Sequence, residues 1–216
     1  MIGTLRVVAE PAFEPITLVE ARSWLNVTAG DTTYDVEIGM LISAMRRYAE
    51  NLTGRAFMHR SLQFVLSGWP ADVVAGMPGH VIELPMPPLV SVSSIQYYDT
   101  DGVLQTLAAD QYVVHTFREP AVIVPEWNIS WPSTRGLINA VQVNYTAGYT
   151  VGGSPSDEKG QQDAVPDTVK TWMHARLATL FEQRQQIITG TIVNALPRAY
   201  VDGLLDEVVM SERVVG

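Results

Sequence analysis

The hydrophobic period of this chain changes twice, and those changes limit its fold more than any other feature. From Ile38 through Leu41, Ile42, Met45 and Ala49 to Leu52, apolar residues recur at helical spacing. At Leu62, Phe64 and Leu66 they alternate along the chain, which is the period of a strand. From Pro166 the helical spacing returns, with Val169, Trp172, Met173, Leu177, Leu180 and Phe181 on one face. Helices kept apart from a run of strands imply an α+β fold rather than alternating βαβ units.

Local signals sharpen this order. Thr17 and Glu20 form a capping box, which starts a short helix ending near Asn26, with Leu18, Ala21, Trp24 and Leu25 on its apolar face. A second helix spans about 33–52, roughly 30 Å at 1.5 Å per residue. Arg46, Arg47 and Glu50 fall off its apolar stripe, and Gly54 is placed to close it. Short strands follow at Val81–Leu84, Val92–Tyr98, Val103–Leu107, Tyr112–His115, Ala121–Val124 and Ala140–Tyr145. Asp99-Thr100-Asp101-Gly102 reads as a hairpin turn. Residues 147–165 read as a long loop, and Pro166 opens a third helix that runs to about Gln186. The expected organisation is a helical base from residues 1–60 and 147–186 and an inserted antiparallel β unit at 61–146. An extended tail over 187–216 carries a short amphipathic helix.

Composition removes several function classes. Lys plus Arg is 14 and Asp plus Glu is 23, a formal charge of −9, which argues against a module that grips nucleic acid through a basic face. The absence of cysteine excludes disulfide scaffolds, thiolate zinc sites and thiol catalysis. His59, His80, His115 and His174 share no metal-ligand spacing, and neither a nucleophile elbow nor a phosphate-binding loop is present. No catalytic, cofactor or metal residue is assigned, and no enzyme activity is expected. No apolar run approaches the ~18 residues of a membrane helix, and residues 1–10 do not read as a secretory signal. Trp69-Pro70 and Trp131-Pro132 set aromatics beside rigid loops, which suits core plugs, subunit contacts or a sugar site.

A set of segments in fixed order resembles one family. They are Glu14-Pro15-Ile16-Thr17-Leu18-Val19-Glu20-Ala21, Tyr48-Ala49-Glu50-Asn51-Leu52-Thr53-Gly54-Arg55, and Leu84-Pro85-Met86-Pro87-Pro88-Leu89-Val90-Ser91-Val92 leading into Ile95–Gly102. Trp131-Pro132, Thr146-Ala147-Gly148-Tyr149 and Val165-Pro166 follow. Over roughly residues 10–185 the chain resembles the head–tail connector proteins of tailed bacteriophages, also called adaptor or head-completion proteins, of the type with a β insertion between helices. The stretches 71–79 and 148–164 are longer than that pattern.

The resemblance implies a structural virion protein of the neck, assembled in the host bacterial cytoplasm. It implies a ring, usually a dodecamer, which docks on the portal, extends the DNA channel and offers a platform to the next neck or tail protein, a stopper or tail terminator. Genomic DNA passes through without specific binding, and no cofactor or membrane is implied. A carbohydrate- or protein-binding β module of a tail or baseplate is the alternative reading. The apolar stripe of the tail makes Pro197, Tyr200, Val201, Leu204, Leu205, Val208 and Val209 the candidate portal-binding residues, expected to be poorly ordered in the free subunit. Tyr48 and Trp172, which widen the faces of the two long helices, are the candidate subunit-interface residues.

Overall fold

The computed structural model describes residues 3–70, 80–150, 157–183 and 202–209. The chain is α+β, as the periods require, and divides into two compact units. One is built from residues 1–12 and 59–149, the other from 13–58 and 150–216.

Among its described residues the first unit is all β apart from one 3-10 turn at Ala109–Gln111. Its strands are β1 (Gly3–Ala9), β2 (Arg60–Leu66), β3 (Ile82–Glu83), β4 (Leu89–Tyr98), β5 (Leu104–Thr106), β6 (Tyr112–His115), β7 (Val122–Pro125) and β8 (Val141–Ala147). A five-stranded sheet has the order β1-β2-β8-β4-β5, and a three-stranded sheet the order β3-β7-β6. Every pairing is antiparallel. Along β8, Val141, Val143, Tyr145 and Ala147 are buried while Gln142, Asn144 and Thr146 are half-exposed, the alternation of a strand with one face in a core. Register sets Leu62 opposite Tyr145 on one side of β8 and Ile95 opposite Val143 on the other. On the opposite face Gln63 donates to Asn144 Oδ1 at 3.0 Å, and Asn144 donates to Ser94 Oγ at 3.0 Å. That amide ladder satisfies polar groups across β2, β8 and β4. Tyr145 donates its hydroxyl to the Pro85 carbonyl at 2.7 Å, and burial pushes the phenol pKa up, so it stays a donor.

β1 lies outside the expected insertion. The sheet therefore draws on two separated stretches of chain. Six of its seven residues are exposed, so no apolar–polar alternation marks the strand in the sequence.

The second unit holds α1 (Leu18–Trp24), α2 (Asp35–Thr53), α3 (Glu158–Ala164) and α4 (Asp167–Gln183). The capping box of α1 forms as its sequence dictates: Thr17 Oγ1 accepts from the Glu20 amide at 3.1 Å, and Glu20 Oε2 accepts from the Thr17 amide at 2.7 Å. Gly54 ends α2 in the left-handed conformation, φ 69°, which a side chain at that position would strain. Helices α1, α2 and α4 pack on one another. Their core contains Ile16, Ala21, Ile38, Ile42, Ala49, Val169, Trp172, Met173 and Leu177. Helix α3 falls where a loop was expected. It has a single buried residue, Gln161, so it has no apolar stripe to read.

Candidate interaction surfaces

Helix α2 buries two charges beside its apolar core residues Ile38, Ile42 and Ala49. Arg46 and Glu50, which the helical stripe leaves outside, are only 2% and 1% exposed. Arg46 Nε donates to Glu14 Oε2 at 2.7 Å, and its Nη1 donates to Glu50 Oε2 at 3.0 Å. Glu50 Oε1 accepts the Phe57 amide at 3.0 Å, and Ser43 donates to Glu14 Oε1 at 2.7 Å. The guanidinium is thus buried with its charge matched and its donors occupied, the condition under which burial of an ion is tolerated.

Other apolar residues of α2 stand outside. Val36 is 78% exposed, Met40 64%, Leu52 42% and Tyr48 37%, and Ala44 is exposed between them. Val36, Met40, Ala44, Tyr48 and Leu52 follow one another at intervals of four, so they form a single ridge on the helix. Arg47 and Asn51 are the other exposed side chains of α2, and Glu37, half-exposed, lies within the arc of the ridge.

Of the two interface candidates, only Tyr48 keeps surface. Trp172 is 0% exposed. Its ring stacks on Tyr48, centroids 5.9 Å apart, and its Nε1 donates to Asp202 Oδ1 at 3.2 Å. Filled on both sides by its own unit, it has no face to offer a neighbour.

The tail residues divide in the same way. Asp202–Val209 lies against α4 of its own unit, as a 3-10 turn at Gly203–Leu205 and not as the expected amphipathic helix. Leu205 is 1% and Val208 5% exposed, Leu204 is half-buried, and Val209 remains 39% exposed. Arg176 donates to Asp202 at 2.5 Å and Arg55 to the Val208 carbonyl at 2.6 Å. These bonds hold 202–209 in place, which replaces the expectation of a poorly ordered segment over those residues. Pro197, Tyr200 and Val201 lie outside the described residues.

In the sheet unit the exposed apolar side chains sit on β1, at the start of β5 and on loops. Val7 and Val8 are 42% and 59% exposed, Phe117 81%, Trp127 91% and Ile138 89%. Trp69 and Trp131 stack face to face, centroids 4.5 Å apart and planes within 5°. They line a cavity of about 260 Å³ with Pro70, His80, Pro125 and Ile129. Each indole covers a face of the other, and Trp131 Nε1 is committed to the His80 carbonyl at 2.9 Å. This arrangement fits a loop plug better than a sugar platform, which needs open ring faces.

A second hollow, about 500 Å³, lies in the helical unit between α1 and α3. Its wall includes Glu20, Asp157, Glu158 and Asp163, with Lys159 and Lys170 as its cations. Lys159 is bonded to Asp163 at 2.6 Å and Lys170 to Asp167 at 3.5 Å, so its cations are neutralised locally. Among the described residues, no group of three or more His, Asp or Glu can hold a metal ion, and no helix is long and apolar enough to cross a membrane. Burial lowers the pKa of His59 in the sheet unit and of His174 in the helical unit. His174 stacks on Trp24 at 4.9 Å.

No protein family and no curated protein matches the chain in sequence. Among the solved structures that share its fold are chains of gene transfer agent particles. A chain in the neck of an empty gene transfer agent particle with C6 symmetry aligns over 99% of this chain and 98% of that one, at 18% identity and TM-score 0.73. A chain in the virion of a native gene transfer agent particle aligns with the same coverage and identity at TM-score 0.69. One in the neck of the native particle with C12 symmetry does so at TM-score 0.64.

Proposed function

We propose that this chain is a structural virion protein of a phage-like neck: a ring-forming head–tail adaptor, not an enzyme. The observation that carries the reading is the fold shared end to end, 99% of one chain on 98% of the other, with a chain in a particle neck. Agreement over both units makes it more informative than a likeness confined to one common motif. The C6 and C12 symmetries of those necks support a ring of copies here, with a dodecamer as the expected size.

The chemistry of the chain agrees. A protein through which DNA slides needs a wall that does not hold phosphate, and a formal charge of −9 suits that task. The face toward the channel is accordingly acidic or neutral. The portal lies on one side of the ring and a stopper or tail terminator on the other. If the tail is the portal anchor, Leu205 and Val208 must first leave their seats against the helical unit, so docking would exchange an intrachain contact for an intermolecular one.

The test is native mass spectrometry and electron microscopy of the purified chain, alone and mixed with portal-bearing capsids. A closed ring seated on the portal vertex is expected. A chain that stays monomeric in both settings, or attaches elsewhere on the particle, overturns the reading. A truncation after Leu196 separates the anchor from the ring: it should still form rings and lose attachment. Full attachment by the truncated protein would move the anchor to the 148–164 region.

A further inference from the structure

Asp202–Val209 is held on its own unit as a separate peptide would be. Asp202, Leu205 and Val208 are spaced by three, the period of a 3-10 turn, so one side of the segment carries all of them. The turn bonds are present: the Asp206 amide donates to the Gly203 carbonyl at 3.3 Å, and the Val208 amide to the Leu205 carbonyl at 2.9 Å. The seat answers each residue in turn. Trp172 and Arg176 both donate to Asp202 Oδ1, Leu205 and Val208 are buried, and Arg55 donates to the Val208 carbonyl.

The length of chain leading to the seat adds a second observation. Helix α4 ends at Gln183, and Arg176 and Trp172 lie two to three turns back, about 10–16 Å along its axis. Connections between packed helices usually take about 2–8 residues. Here residues 184–201 join α4 to the segment, and a stretch of that length reaches about 60 Å when extended. A unit of about 100 residues has a radius of gyration near 13 Å, so equivalent points on touching copies stand roughly 35 Å apart. The connection is longer than a return to its own helix requires and long enough to reach the next copy.

We propose that in the ring the seat made by Arg55, Trp172 and Arg176 of each copy is filled by residues 202–209 of the adjacent copy. The inference rests on the ring reading above and names one contact that ties neighbours together. Every bond the segment makes within its chain is remade between chains, so the exchange costs little. Each copy gives one segment and receives one, which is the heterologous pattern a cyclic ring demands. The same contact repeats at every junction, so the ring is held by many equal links. A tail that goes on to the portal then leaves a neighbour's seat in place of its own.

Because the chain has no cysteine, introduced thiols report contacts without background. Arg55→Cys and Val209→Cys, combined in one chain, put thiols on the two sides of the Val208 contact. The donors to Asp202 and the buried Leu205 and Val208 remain to hold the segment. Rings of this variant, verified by native mass spectrometry, are treated with a short bismaleimide and run on a denaturing gel. The expected product is a ladder of covalent oligomers, each band one subunit larger than the last. An internally bridged monomer recovered from intact rings overturns the exchange and leaves the ring reading standing. So does an intact ring with no bridge at all. If the wild-type chain forms no ring, the ring reading falls and the exchange with it. Leu205→Asp, which unseats the segment, decides the matter should the cysteine variant fail to assemble where the wild type does. Like the truncation after Leu196 it should still give rings, but only at a concentration raised about tenfold or more. Assembly at an unchanged concentration would likewise overturn the proposal.

Discussion

Strand β8 and helix α2 stand in different units and differ in what they do with polar groups. β8 sends Val141, Val143 and Tyr145 into a core and turns its amides to a half-exposed face, where they bond Gln63 and Ser94. α2 takes Arg46 and Glu50 inward and leaves Val36, Met40 and Leu52 in water. The strand is explained by its own unit alone. The helix is not, because burying charge while exposing apolar surface lowers stability on both counts unless something else covers the outside.

The largest effect should come from breaking the buried charge network of the helical unit. Glu50→Ala leaves Arg46 without one of its carboxylates and the Phe57 amide without its acceptor. A loss of about 3–5 kcal/mol is expected in denaturant unfolding. The matching change in the sheet unit, Asn144→Ala, removes side-chain bonds from a half-exposed ladder and should cost about 1 kcal/mol. Equal losses would erase the contrast between the two units.

Acid should act on both units through one histidine each. His59 and His174 have folded pKa values lowered from 6.5 mainly by burial. As pH falls through 6.5 the unfolded chain therefore takes up protons first, and stability declines from there downward, whereas above 6.5 these groups contribute no pH dependence. In a pH series of melting curves, His174→Gln should flatten the acid limb reported by α4, and His59→Gln the limb reported by the sheet. If neither variant changes the slope between pH 6.5 and the onset of carboxylate protonation, the histidines are not the sensors.

The smallest effect should have the opposite sign. Gly39→Ala adds a Cβ into open space inside α2 and should stabilise the isolated subunit by up to about 1 kcal/mol. A melting curve that does not rise would mean that the helix needs a glycine at this position.

Much of the architecture was legible in the chain because it is local. The capping box at Thr17 and Glu20, the closing Gly54 and the alternation through β8 each depend on residues within a few positions of one another. β1 was not legible, since a strand exposed on most of its residues has no alternation to show. Nor was α3, a polar helix with a single buried side chain. The two interface candidates differ in exposure. A wide apolar face on α2 was visible at Tyr48, but periodicity could not tell that Trp172 would be sealed beneath it.

The sequence by itself determined where the hydrophobic period changes, the acidic balance, and which residues could share a face, because period and charge are properties of neighbours along the chain. Only the tertiary structure decided which face turned inward. Arg46 could be buried because Glu14, from before α1, and Glu50, whose other oxygen holds the Phe57 amide, converge on it. Leu205 and Val208 could be spent on their own subunit because α4 and Arg55 wait beside them. A helical stripe specifies that a surface is apolar. What covers it depends on groups brought from distant positions, and no local spacing encodes that meeting.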